Sequence, residues 1–390
     1  MTAATTGPLK GLRLLEIGGM GPVPFCGMVL ADLGADIISV RRPPTVLDSD
    51  DMTEATGGVL ARGRRSVAVD LKHPDGVATV LRLVERADGV MEGFRPGVME
   101  RLGLGPEVCS GVNPRLVYAR MTGWGQDGPY AQLPGHDINY LALSGALGAI
   151  GEPGRPPVPP LNLVADFGGG AMLLAVGVLA ALLEAGRSGQ GQVVDAAMLD
   201  GSSLLMTMTH ELLGRGAWVP GRGRNINDGG APFYRTYETS DGRYVAVGAM
   251  EPKFFNELVA RLGLDKDTLP AQWDRSRWPE LVAFLTEMFL TRTRDQWCTL
   301  LEHAPVCVTP VLELHEVPLH PHNAARHGFV DQGPGGAPVP APAPRFGRTP
   351  AQPGAPGRPV GADTADVLAE LGLGADEIAR LQASGVIGPA

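Results

Sequence analysis

The sequence predicts an α/β protein in two parts: a large Rossmann-like domain with a mostly parallel sheet, and a smaller α+β domain. Three observations carry this. A chain of 390 residues is longer than one simple core accommodates. Residues 12–40 alternate short apolar runs with a glycine-rich turn and a helical stretch, the order of a βαβ unit. Beyond RGRNINDGGAP the pattern changes to period-two alternation around Ser240, Asp241 and Gly242, which is a hairpin signature. The expected divisions are residues 1–190 for the large domain, 191–230 for a linker helix and loop, and 231–325 for the small domain. Residues 326–390 are expected as a return segment with C-terminal helices docking on the large domain.

The opening unit reads as a strand at Leu12–Ile17, the turn GGMGPVPFCG, a helix at Phe25–Leu33 and a second strand at Asp36–Val40. A dinucleotide enzyme places an acidic residue at the end of that second strand, on the ribose diol. Here Arg41 and Arg42 stand instead, and arginine suits a ribose carrying a phosphate, as in NADP or the 3′-phosphate of coenzyme A. More cations follow near strand ends: in ARGRRSVAVDLK, Arg62, Arg64 and Arg65 come before a strand and Lys72 after it, with Arg95 in a loop and Arg101 on a helix. Open parallel sheets bind ligands at strand ends, so these residues predict a local anion site in a chain whose net charge is −9. That net charge argues against general nucleic-acid binding.

Leu116–Met121 is a further strand, leading into a glycine-rich loop with Trp124 and Tyr130. Pro134 and Gly135 then precede apolar residues at helical spacing, so a helix is expected from about Asp137 with His136 at its mouth. Asp166 stands before Phe167, three glycines and a long apolar run, and reads as the N-cap of a buried helix. The uncharged stretch Phe167–Leu183 has 17 residues and four glycines, and is expected to be a core helix rather than a membrane span. Gln192–Ala197 and Asp200–Leu213 continue as strand and helix. In the second domain Phe233–Glu238 and Arg243–Ala249 form the hairpin, and Glu251 occupies the first turn of the next helix, favoured there by the helix dipole.

Cys26, Cys109, Cys298 and Cys307 are widely spread and form no CxxC, which predicts neither a disulfide framework nor a zinc site and places the chain in the reducing cytoplasm. The N-terminal MTAATTGPLKGLR lacks the apolar core of a signal peptide. The histidines of HEVPLHPHNAARH are broken by prolines and are not expected to ligate metal.

Three segments, GHDINYLALSG, NLVADFGGG and NINDGGAPFYRTYETSDGRYVAVGAMEPKFF, resemble the signatures of α-methylacyl-CoA racemases within the family III CoA-transferase (CaiB/BaiF) superfamily, and the similarity runs from about Leu9 to about Val330. The resemblance implies an enzyme that moves the α-proton of a 2-methylacyl-CoA thioester through an enolate, with His136 serving the S substrate and Asp166 the R substrate. It implies Glu251 as the residue orienting His136 and the backbone amide of Asp137 as the enolate donor. It places coenzyme A, which is part of the substrate and needs no further cofactor, along Arg42, Ala61, Val69, Leu71, Lys72, Gly93, Phe94, Arg95, Arg101 and Tyr130. Gly93 is a departure, since many relatives carry asparagine there. The resemblance also implies an interlocked homodimer. Two alternatives remain at this point: a CoA transferase with Asp166 as nucleophile, which the GHDINY histidine disfavours, and an NADP oxidoreductase, which leaves His136, Asp166 and Glu251 unexplained.

Overall fold

The computed structural model describes residues 6–43, 58–331 and 336–388. The chain divides into two compact units, one of residues 1–144, 161–205 and 322–390, the other of residues 145–160 and 206–321. Residues 145–160, expected within the large domain, cluster with the second unit.

The first unit is built on six parallel strands, β1 (Arg13–Ile17), β2 (Asp36–Arg41), β3 (Arg64–Ala68), β4 (Gly89–Glu92), β5 (Val117–Thr122) and β6 (Val193–Ala197), in the order β3-β2-β1-β4-β5-β6. Leu14, Leu15, Ile37, Ile38, Val67 and Val117 are fully buried. Strands covered on both faces lose the period-two pattern and become the continuous apolar runs visible in the sequence. Strand order reverses between β1 and β4, and a doubly wound sheet opens a crevice at that point, outside the carboxyl ends of its strands.

The first helix runs Pro22–Asp32 and so starts three residues before the expected Phe25. Pro22 and Pro24 mark the helix start rather than a turn, because the first-turn N–H groups have no helical partner to lose. Asp166 is likewise not a cap. A wide π-helical turn, Leu163–Met172, precedes the α-helix Leu173–Ser188, Asn162 holds the N-cap position, and Asp166 lies in the first turn. Residues 163–188 are long and apolar enough to cross a membrane by length and composition. In this unit Ala181 and Ala185 are buried against Val117 of β5.

β3 is an edge strand, and the end of the chain covers it. The amides of Ser66 and Ala68 donate to Asp363 Oδ2 (2.8 Å) and Thr364 Oγ1 (3.0 Å), and the amide of Gly388 donates to the Ala68 carbonyl (3.1 Å). Val367, Leu368, Leu381 and Ile387 join the same core as Val67 and Val69.

The second unit holds an antiparallel sheet of β7 (Tyr234–Glu238), β8 (Tyr244–Gly248) and β9 (Val308–Pro310). The hairpin register pairs Glu238 with Tyr244, as the turn residues require. Helices Pro252–Arg261, Trp278–Phe289 and Arg294–Leu301 enclose a core of Phe233, Tyr237, Trp278, Phe289 and Trp297. β9 was not legible in the sequence, being three residues long with a proline at its end.

Candidate active site

A cavity of about 380 Å³ opens in the first unit at the strand-order reversal. Its walls come from the turn after β1, the turn after β4, the end of β5 and the helix starts that carry His136 and Asp166. His136 is the N-cap of helix Asp137–Leu143 in extended conformation (φ −132°, ψ 173°), with its own amide donating to Asn139 Oδ1 at 3.0 Å. Its imidazole is exposed to the cavity mouth, and Asp166 is half-buried. Burial raises the Asp166 carboxyl above the usual carboxylate range and the negative charge of Asp137 adds to this, while a hydrogen bond from Asn162 and the charge of His136 oppose it.

The glycine turn reaches the same point. Gly21 has φ +64°, and a Cβ there would lie 3.4 Å from Asp166 Oδ2, so a larger residue would be strained and would crowd the carboxylate. Phe25 and Phe167 stack with ring centroids 4.3 Å apart, fixing the Asp166 turn against the first helix. Asp137, the first residue of helix Asp137–Leu143, also contributes its side chain. Its Oδ2 accepts the N–H groups of Ala165 (2.9 Å) and Asp166 (2.8 Å).

The expected coenzyme A residues divide into two sets. Gly93, Phe94 and Arg95 follow β4 and line the cavity beside His136 and Asp166. Arg42 follows β2, Val69, Leu71 and Lys72 follow β3, Ala61 lies in the turn Val59–Ala61 and Arg101 ends the short helix Val98–Arg101, all outside the cavity lining. Val69 is fully buried, with its amide donating to the Arg41 carbonyl (2.8 Å) and a bridge to Ile387, so it presents no surface to a ligand. Lys72, Arg95 and Arg101 are exposed and form no ion pair with a carboxylate among the described residues. At Gly93 a Cβ would stand 2.9 Å from Gly19 Cα and 3.0 Å from Val23 Cγ2, so a side chain would fit there only if the two turns moved apart.

Arg62, Arg64 and Arg65 correct the sequence reading. They sit at the N-terminal end of β3, away from the crevice, and are neutralised by Asp32 (2.5 Å), by the fully buried Glu16, and by Asp36 (2.6 Å) with Glu370 (2.8 Å). Tyr130 is exposed and packs edge-on to Trp124 (5.2 Å, 85°), outside the lining. Glu251 lies in the second unit as the exposed N-cap of helix Pro252–Arg261, one position before the expected first turn.

Two positions at or beside the site were missed. Tyr140 lines the cavity with its ring edge-on to Trp124 (4.7 Å, 81°), and its phenol is pushed up to about 12, first by burial and then by the charges of Asp166 and Asp137, against the pull of Arg95. Its spacing of four from His136 on one helix face is the signal that would have found it. Glu92, fully buried at the end of β4, accepts the Phe94 amide (2.7 Å) and Arg120 Nε (3.0 Å), while Arg120 also holds Glu100 (2.8 Å). Burial pushes the Glu92 carboxyl up to about 6. The single charge of GVMEGF, inside a strand, was its only trace.

The site therefore offers an imidazole and a carboxylate, both able to exchange protons, in one cavity at the carboxyl ends of a parallel sheet. Comparison with known proteins agrees. The chain is 46% identical over 381 residues to α-methylacyl-CoA racemase from Mus musculus, covering 97% of each. It is 44% identical over 380 residues to the Homo sapiens protein of the same name, again covering 97% of each. The solved structure of a CaiB/BaiF family protein from Brucella suis superposes with a TM-score of 0.80 at 27% identity, covering 94% of this chain and 100% of that one. With residues 9–364 matching the model of CoA-transferase family III, the chain belongs to that family.

Proposed function

We propose that this chain is an α-methylacyl-CoA racemase, interconverting the epimers of 2-methylacyl-CoA thioesters by 1,1-proton transfer. The observation that carries it is the placement of His136 and Asp166 on the wall of one cavity. The α-proton of a thioester is too weakly acidic for a free imidazole or carboxylate to remove unaided, so charge on the enolate oxygen must be stabilised as it develops. The amide of Asp137, at the first position of its helix, supplies such a donor without a formal charge. His136 takes the proton of the S substrate while protonated Asp166 delivers one to the opposite face, and the roles reverse for the R substrate. A carboxyl raised by burial suits this double duty, since it carries a proton more readily than a solvated aspartate does.

Coenzyme A belongs to the substrate, and no further cofactor is required. Arg42, Lys72 and Arg101 hold its phosphates, with Ala61, Leu71, Gly93, Phe94, Arg95 and Tyr130 along the rest of its length. The protein works as a homodimer in the cytoplasm. Val176, Leu183 and Leu204 support the dimer, since their apolar side chains are 59%, 66% and 60% exposed.

The test is incubation of one enantiomer of a 2-methylacyl-CoA in heavy water without any acceptor acid. Deuterium enters the α-position as the stereochemistry scrambles. Acyl transfer to an added carboxylate, without α-exchange, overturns the racemase and identifies a transferase with Asp166 as nucleophile.

A further inference from the structure

Asp137 stands between the two proton-exchanging groups in a way that sequence adjacency to His136 does not require. Asp137 is 8% exposed. Oδ2 accepts two backbone N–H groups, those of Ala165 and of Asp166 itself, 28 and 29 residues further along the chain. Oδ1 is buried with no partner. The buried, unpaired Oδ1 carries a desolvation cost, and what the carboxylate gains against it is the pair of hydrogen bonds from the distant Ala165–Asp166 segment. We infer that the Asp137 side chain is a positioning residue that sets the separation of the two bases, joined by covalent bonds to His136 and by two hydrogen bonds to the turn carrying Asp166. The inference rests on the two-base reading of the site.

The charge of Asp137 has a second consequence. The ionisable groups facing Asp166 are Asp137, His136 and Tyr140 from the helix Asp137–Leu143 and its cap, with Asn162 donating from its own segment. The glycine turn after β1 brings no charge, and Arg95 from the β4 turn acts on Tyr140. Asp137 is thus the one anion among these that holds a proton on Asp166.

A tie between two bases has a signature that a general contribution to folding lacks. Racemisation needs both bases in one geometry, whereas α-deuterium exchange with retention needs one. After abstraction, a single base releases its proton to solvent, takes a deuteron and returns it to the same face. The test is the ratio of racemisation to single-enantiomer exchange in heavy water for three variants of the full chain. Asp137→Ala removes both hydrogen bonds, and Asp137→Glu keeps the charge and acceptors but lengthens the arm by one methylene. Both should lower the ratio at least about tenfold, leaving exchange with retention. Asp137→Asn should keep the ratio within about threefold. It should also move the acidic limb of R-substrate exchange to lower pH, since Asp166 ionises more easily without a neighbouring anion.

If racemisation and exchange fall together in Asp137→Ala and Asp137→Glu, the side chain only supports the fold and the inference is overturned. If Asp137→Ala does not fold, Asp137→Glu decides alone. An unshifted acidic limb in Asp137→Asn overturns the electrostatic half. Wild-type acyl transfer with no exchange is a different failure: it removes the racemase reading, and the tie with it.

Discussion

The two ends of β3 use the same residue types in opposite ways. At its N-terminal end Arg62, Arg64 and Arg65 are locked by Asp32, Glu16, Asp36 and Glu370. Just past its C-terminal end Lys72 is exposed and unpaired among the described residues. Arginines in a run read alike in a sequence, but strand polarity decides which face a ligand and which face the protein's own carboxylates. Charge counted along a chain therefore overstates charge available to a substrate.

The sharpest way to test that division is to remove function without stability and stability without function. His136→Ala and Asp166→Ala, at the crevice end, should each cut racemisation in both directions by about 10²- to 10⁴-fold. Exchange should survive on the R substrate for the first and on the S substrate for the second, with the unfolding midpoint in urea little changed. Arg64→Ala, at the other end, removes the guanidinium that bonds both oxygens of the fully buried Glu16 and leaves it only Ser39 Oγ (3.0 Å) and the more distant Arg41 (3.8 Å). It should destabilise the protein by about 3–5 kcal/mol in urea unfolding, while the folded fraction keeps its Michaelis constant.

Arg101→Ala should raise the Michaelis constant for acyl-CoA by the equivalent of about 1.5–3 kcal/mol with less effect on turnover, because phosphate contacts are shared by ground and transition states. An unchanged Michaelis constant in Arg42→Ala, Lys72→Ala and Arg101→Ala together removes the phosphate assignment. The smallest effect belongs to Glu92, whose carboxyl rises from 4.5 to about 6 in the fold. A raised carboxyl favours the folded state at low pH, so its contribution is fully present below 4.5 and is lost as pH rises through about 6. The difference is on the order of 2 kcal/mol and should vanish in Glu92→Gln, measured as unfolding free energy against pH.

Features set by neighbours in sequence were legible in advance. The βαβ opening, the hairpin at Ser240–Gly242 and the helix start at His136 all follow from apolar period, turn residues and caps within a few positions. What escaped depends on partners far away in the chain. Glu16 finds Arg64 across 48 residues, Asp137 finds Asp166 across 29, and residues 145–160 cluster with a unit that otherwise begins at residue 206. Pro22 was legible but ambiguous, since proline ends one element and begins another by the same missing N–H. Gly93 shows the converse: the glycine was visible in the sequence, while the close approach of Gly19 and Val23 that leaves little room beside it is tertiary.

The cover on the edge of β3 has a consequence for biosynthesis. Ser66 and Ala68 wait for Asp363, Thr364 and Gly388, roughly three hundred residues later in translation. At ordinary elongation rates the ribosome takes on the order of tens of seconds to deliver them. During that interval the nascent sheet presents unpaired amides to any other extended chain nearby, which is the circumstance in which strand edges associate wrongly. The sheet therefore stays open at this edge until residues 363–388 have left the ribosome, and truncation near residue 360 leaves the parallel strands formed and the edge unguarded.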